Sequence, residues 1–353
     1  MKTISVGLIG CGRNSENHLR VYSNMQGAEL VAVCDIDATR VREKARKYGA
    51  QKAFTNVDSM LNMELDLVDI VTPPSTHAQL SVLALESGHN VLVEKPMAVT
   101  SKECQHMLSA AHKTGKTLCV MHNKRFFDSI IQTKTAVERE RLTVSRMNVS
   151  HFFVTTNEPV WITNEASGGI LWEALIHQVY LTQHFLGQTQ SVYAVADKVR
   201  RSIYDSFTLV LRSRGKAGVC QFQWDMKEPL TSFRVITEQG DRFDGDLSLD
   251  FVIRKSRAYR NQTTTAWRTF SDDLSKPLVK WKGVVRNFLK TGSYEKSLPY
   301  EKTFFVLIRQ MISFLSGERG SSPPVPAEEG LEAVRVLEAA KKSIETGNVQ
   351  SLE

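Results

Sequence analysis

The chain has 353 residues, enough for two domains, and its 24% charged and 42% hydrophobic content is that of a globular protein rather than a disordered or fibrous one. The net charge of +7 suits an anionic partner, while the lack of zinc-finger or RNP-type motifs, and of basic residues interleaved with stacking aromatics, argues against nucleic acid. No apolar run reaches the roughly 18 residues of a membrane span, and the opening run is too short and too soon broken by Gly7 for a signal peptide, so the cytoplasm is the expected compartment.

Residues 3–10 form a short apolar run ending in glycine, which predicts a buried parallel strand. A helical stretch follows over 15–25, then a second buried strand over 29–35 closed by an acid, then a charged helix over 37–48. A third strand over 67–72 is stopped by Pro73 and Pro74. A helix over 77–87 ends at Gly88, a fourth strand covers 90–94, a further helix covers 101–114, and a fifth strand covers 117–121. Such alternation with short connections requires right-handed crossovers and gives an α/β, doubly wound parallel sheet.

Beyond about residue 124 the pattern changes. Residues 143–156, 191–198, 205–213, 217–224 and 232–237 read as strands, several with the period-two alternation of a sheet with one solvated face. Helices are expected near 168–186, 300–316 and 327–346. The expectation is therefore a parallel domain over 1–123 and an α+β domain with a largely antiparallel open sheet over 124–353. The five cysteines (Cys11, Cys34, Cys104, Cys119, Cys220) are odd in number and lack C-x-x-C spacing, so buried reduced thiols are expected.

The first strand runs into Gly10-Cys-Gly12-Arg13-Asn14-Ser15, a G-x-G-x-x-G pattern with serine in the third place. Gly10 permits the tight turn, Gly12 lets backbone approach a pyrophosphate, and the third small residue lets helix pack on strand. Phosphates would then meet the unpaired N–H groups of the helix N-terminus. Asp35 ends the next strand about 20 residues on, where a carboxylate binds the adenosine ribose. Together these describe a Rossmann dinucleotide site. The carboxylate favours NAD over NADP, although Arg40 and Arg42 follow closely enough to swing over it.

Four segments then occur in order: Thr72-Pro73-Pro74-Ser-Thr-His77, Val91-Leu-Val-Glu94-Lys95-Pro96, His122-Asn123-Lys-Arg125-Phe, and Gly168-Gly-Ile-Leu-Trp-Glu173-Ala-Leu-Ile-His177. In these the chain resembles the glucose-fructose oxidoreductase/inositol dehydrogenase/MocA family, most strongly over 4–126 and least over 225–300. The resemblance implies hydride transfer between a nicotinamide and a carbinol carbon of a sugar, nucleotide sugar, cyclitol or related polyol. It places Lys95 beside the reacting hydroxyl as the proton-transfer residue, where the chemistry needs a group that yields a proton near neutral pH. It sets Glu94 near the nicotinamide, with Thr72, Pro73 and His77 on the cofactor side. Without it, Lys95 reads as a strand-end surface charge.

Glu173 and His177 are four apart on a predicted helix and so share a face. The family usually has aspartate and histidine there, facing substrate, and often a second acid three residues on. Here that place is Tyr180, which weakens any assignment to inositol or glucose itself. A core histidine satisfied by Glu173 is the competing reading. His184 lies on the same stripe, but no further ligand is suitably spaced and no metal is expected. Asn123 and Arg125 follow the fifth strand at the sheet's ligand-binding edge, and Arg125 either holds an anionic substrate group or joins the domains.

Residues 251–290 are strongly basic, with Leu278, Trp281, Val285 and Phe288 at helical spacing. Over 278–290 this reads either as an interfacial helix touching anionic lipid or as a solvated insertion, the latter preferred. The resemblance also implies a homodimer or homotetramer through the outer face of the second sheet. Its alternative is a regulator that binds dinucleotide and catalyses nothing, but Lys95 and His177 have no chemical use in such a protein.

Overall fold

The computed structural model describes residues 2–153, 169–199, 203–224, 226, 230–256 and 299–352. These divide into two compact units, within the ranges Met1–Asn123, Glu158–Ile176 and Phe304–Glu338 for the first and Lys124–Asn157, His177–Thr303 and Ala339–Glu353 for the second.

In the first unit, strands β1 (Ile4–Ile9), β2 (Ala28–Cys34), β3 (Lys52–Phe54), β4 (Leu67–Ile70), β5 (Asn90–Val93) and β6 (Leu118–Val120) alternate with helices α1 (Ser15–Tyr22), α2 (Ala38–Tyr48), α3 (Val57–Leu61), α4 (Pro74–Glu86) and α5 (Ser101–Thr114). All five strand pairings are parallel, in the order β3-β2-β1-β4-β5-β6. The apolar runs are apolar because helices cover both faces; all four residues of β4 are buried. The strand order reverses between β1 and β4, which opens a crevice at their carboxyl ends, the place where such sheets bind ligands.

Three elements depart from expectation here. β3 is a three-residue edge strand with Lys52 and Ala53 exposed, so it carries no apolar signal. The short α3 was likewise not anticipated. Helix α4 begins at Pro74 instead of three residues later, because proline is accommodated in a first turn, where its missing N–H costs nothing. All five cysteines are free and buried, with burial pushing the thiols of Cys11, Cys104, Cys119 and Cys220 up to about 12.

The second unit holds β7 (Val144–Phe153), β8 (Ser191–Asp197), β9 (Ser206–Ser213), β10 (Lys216–Trp224), β11 (Leu230–Thr237), β12 (Arg242–Asp246), β13 (Phe251–Lys255) and β14 (Gln350–Ser351). They form one sheet in the order β13-β12-β11-β7-β10-β9-β8-β14, antiparallel except where β7 and β10 run parallel. Side chains alternate as a half-buried sheet requires: Phe207, Leu209 and Leu211 of β9 and Cys220, Phe222 and Trp224 of β10 point into the core. Helix α7 (Gly169–Leu186) lies so close to β10 that a side chain at Gly218 would collide with Thr182.

Helix α6 (Asp128–Arg139) escaped the sequence reading, since half of its buried face is the polar pair Ser129 and Thr133. Its cap is also remote: Asp250, with φ of 49°, accepts the N–H groups of Asp128 and Ser129 at 3.0 and 2.8 Å. Helices α8 (Pro299–Leu315) and α9 (Ala327–Thr346) fall where expected. No described helix is long and apolar enough to cross a membrane. The proposed helix over 278–290, with most of the basic stretch, lies outside the described residues.

Candidate active site

The glycine loop is built at the crevice as its spacing demands. Gly10 has φ of +98° and a side chain there would strike the Val71 carbonyl, so both backbone and space require glycine. A side chain at Gly12 would instead meet nothing within 4 Å, leaving room for a ligand against the backbone. Ser15 is more than a tolerated small residue, because its hydroxyl donates to the Gly12 carbonyl at 2.6 Å and tightens the loop. Asn14 precedes α1 without capping it; its carboxamide is diverted to Glu94 Oε1 at 2.8 Å. That leaves the helix start without a side-chain acceptor, as an incoming phosphate needs. Arg13 is exposed beside it.

Asp35 closes the loop from β2. Its Oδ2 accepts the Cys11 N–H at 2.7 Å and its Oδ1 the Asp37 N–H at 2.9 Å. A carboxylate has about four lone-pair sites, so capacity remains for ribose hydroxyls. Arg40 has swung onto Asp35 at 3.3 Å, whereas Arg42 turns back to the Ala38 carbonyl. Ile36 is 94% exposed directly after the acid, an apolar surface left to a flat apolar ligand. These groups fit a dinucleotide with an unphosphorylated ribose.

Thr72 and Pro73 form the loop after β4, and Thr72 Oγ1 accepts from Thr76 at 2.7 Å. His77 is fully buried, with Nδ1 and Nε2 each 2.8 Å from the carbonyls of Pro96 and Thr72. Burial lowers its pKa against the opposing pull of the two carbonyls, and it is a strut between the loops after β4 and β5 rather than a lining group. Glu94 also points inward. Its carboxylate accepts from Asn14, from His18 Nε2 at 2.9 Å and from the Lys95 N–H at 2.9 Å. Burial opposes the charge, but the His18 hydrogen bond and charge, followed by Lys95, hold the Glu94 carboxyl below its usual range.

Lys95 and Glu173 meet. The Lys95 ammonium lies 2.6 Å from Glu173 Oε1 and 3.4 Å from the Glu173 carbonyl, with the two side chains 9% and 28% exposed. Glu173 thus partners the lysine and not His177, so the reading of a core histidine satisfied by Glu173 fails.

In the second unit His177 Nδ1 lies 2.8 Å from the hydroxyl of buried Tyr180, which also accepts the Lys124 N–H at 3.1 Å. Tyr180, read from sequence as a departure, therefore anchors the histidine. Asn123 and Arg125 open a 3-10 turn over Asn123–Phe126; Asn123 is buried and Arg125 half-buried. His184 is kept neutral, its pKa pushed down to about 2 by burial and then by Arg125 and Lys134. Among the described residues no group of three or more His, Cys, Asp or Glu side chains could hold a metal ion.

The sequence reading missed His18, Tyr22, Asp69 and Ile36. One signal was present: an aspartate inside the apolar run Leu67-Val-Asp69-Ile70, which a buried strand tolerates only with partners.

Residues 4–122 match a family described as an oxidoreductase family with an NAD-binding Rossmann fold, and residues 132–241 match the GFO/IDH/MocA C-terminal domain. D-apiose dehydrogenase of Paraburkholderia graminis is 25% identical over 362 aligned residues, covering 100% of this chain and 91% of that protein. Inositol 2-dehydrogenase of Salmonella paratyphi B is 29% identical over 281 residues, covering 75% of this chain and 81% of that protein. The crystal structure of the WlbA dehydrogenase from Bordetella pertussis, in complex with NADH and UDP-GlcNAcA, has the same fold: TM-score 0.78 at 22% identity, covering 100% of this chain and 99% of that one.

Proposed function

The chain belongs to the glucose-fructose oxidoreductase/inositol dehydrogenase/MocA family of NAD-binding oxidoreductases, and from that premise we propose that it interconverts an alcohol and a carbonyl at a carbinol carbon of a sugar, nucleotide sugar, cyclitol or related polyol, with Lys95 as the proton-transfer residue. The observation that carries the reading is the half-buried Lys95–Glu173 pair at 2.6 Å, at the carboxyl edge of the parallel sheet where the glycine loop and Asp35 also lie.

NAD, when bound, supplies the hydride acceptor in the oxidative direction. The chain's own groups divide the rest of the work. Gly12, Asn14 and the α1 start would hold the pyrophosphate, Asp35 the ribose and exposed Ile36 the adenine. Oxidation passes the hydroxyl proton to Lys95, which Glu173 Oε1 orients from 2.6 Å. Reduction runs the same path backward, with the Lys95 ammonium donating to the carbonyl oxygen. His177, Asn123 and Arg125 are further substrate contacts in this reading, Arg125 suiting an anionic group. In an active site, a correctly placed acid–base group of this kind is worth about 10²–10⁴-fold. A homodimer or homotetramer is part of the same reading: Tyr193, Val195 and Val210 are exposed on β8 and β9, with Tyr193 directly opposite Val210.

The test is a panel of sugars, sugar acids, cyclitols and nucleotide sugars, followed by nicotinamide absorbance with NAD and with NADP. Substrate-dependent NADH formation, faster than NADPH formation, is expected. Tight NAD binding with no turnover of any alcohol in the panel would contradict the enzyme and leave a dinucleotide-binding regulator.

A further inference from the structure

Beneath the Lys95 turn lies a buried ionic cluster that the chemistry above does not use. His18 of α1 has no exposed surface. Its Nδ1 is 2.7 Å from Asp69 Oδ2 on β4, and its Nε2 is 2.9 Å from Glu94 Oε1 after β5. The Tyr22 hydroxyl donates to the same Asp69 oxygen at 2.9 Å. The edge of Phe304 closes over the ring, with centroids 5.2 Å apart.

The donor count decides the protonation state. An ionised carboxylate only accepts, and a neutral imidazole has one N–H. With carboxylates at both nitrogens, a neutral ring would set its lone pair against an anionic oxygen. Glu94 already accepts from Asn14 and from the Lys95 N–H, which holds it ionised. Both ring nitrogens of His18 therefore carry protons.

We propose that His18 is a positioning residue: a buried imidazolium that fixes the Glu94 carboxylate, and through it ties the glycine loop at Asn14 to the backbone of Lys95. The role deepens the assignment of Lys95 to proton transfer and rests on it. The groups facing the cluster are Tyr22 on α1, Asp69 on β4, His77 on α4, and Lys95 beside Glu94. Burial alone would discharge His18, but Asp69 and then Glu94 outweigh it and raise its pKa to about 10.

Two consequences separate this role from simple core packing. In the full-length protein labelled with ¹⁵N-histidine, and assigned by the loss of signal in His18→Gln, both His18 nitrogens stay protonated from pH 6 to about 8.5, two units past the ordinary histidine value. Glutamine donates to only one of the two carboxylates, so in His18→Gln the Glu94 carboxyl rises and takes up a proton as pH falls toward neutrality. NAD affinity, read by titration without any substrate, then drops about ten- to a hundredfold, the size of one charged hydrogen bond lost, and acquires an acid limb that wild type lacks. Turnover, once a substrate is known, falls chiefly in kcat. Should His18→Gln fail to fold, Glu94→Gln serves: His18 loses one carboxylate and begins to titrate below pH 8.5. A neutral His18 at pH 7, or a folded His18→Gln whose NAD affinity and pH dependence match wild type, would overturn the proposal. Neither readout needs Lys95 to be active, so failure of the proposed function leaves this test standing.

Discussion

The carboxyl edge of the parallel sheet and the His177 region of the second unit both hold histidines in apolar surroundings, by opposite means. At the sheet edge, His18 is charged, with a carboxylate on each nitrogen. In the second unit, His177 faces a phenol, and His184 is kept neutral by burial first and then by Arg125 and Lys134. His18 and His177 are buried and His184 is half-buried. What the difference teaches is that burial by itself discharges a histidine, as at His184, and that it takes two carboxylates to outweigh it, as at His18, where the resulting ionic cluster locks geometry firmly.

The strongest way to break this contrast is to remove an anion. Asp69→Ala leaves His18 with one partner and is expected to cost about 3–5 kcal/mol of stability, the range for a broken buried ion pair, measured by urea denaturation. Tyr180→Phe removes a single neutral hydroxyl, leaves the Lys124 N–H and His177 Nδ1 without that partner, and is expected to cost about 1–3 kcal/mol. Equal losses in the two variants would erase the distinction.

A pH series sharpens it. The raised pKa of His18 contributes stability that is fully present below about 6.5 and is lost as pH rises through about 10. Wild type should therefore lose stability from pH 7 to 10 by more than His18→Gln does. Glu94, with a lowered pKa, acts on the other side: its contribution is present above about 4.5 and fades in acid. The smallest effect is expected at His184, which should show no titration between pH 5 and 8 by histidine NMR because its pKa lies near 2.

Much of the site was legible because its parts are local. The Gly10–Ser15 loop, Asp35 at a strand end and the Glu173–His177 spacing are each set by a few consecutive residues and a known backbone period. Lys95 was legible through the motif around it, although nothing local announced Glu173 as its partner, 78 positions away. The His18 cluster was hidden for the same reason, since its contacts span 51 and 76 positions. The fold followed the same rule. Buried strands appear as apolar runs, while β3 escaped notice as a polar edge and α6 because its cap arrives from Asp250. Tyr180 was noticed only as a missing acid; its use as the anchor of His177 depends on the Lys124 backbone, 56 positions earlier.

The most direct test of the central claim is Lys95→Ala, assayed with the first substrate that the panel yields and titrated separately with NAD. The account predicts a kcat lower by about 10²–10⁴-fold with NAD affinity within a few-fold of wild type. A kcat that survives the substitution would show that another group moves the proton and would contradict the mechanism.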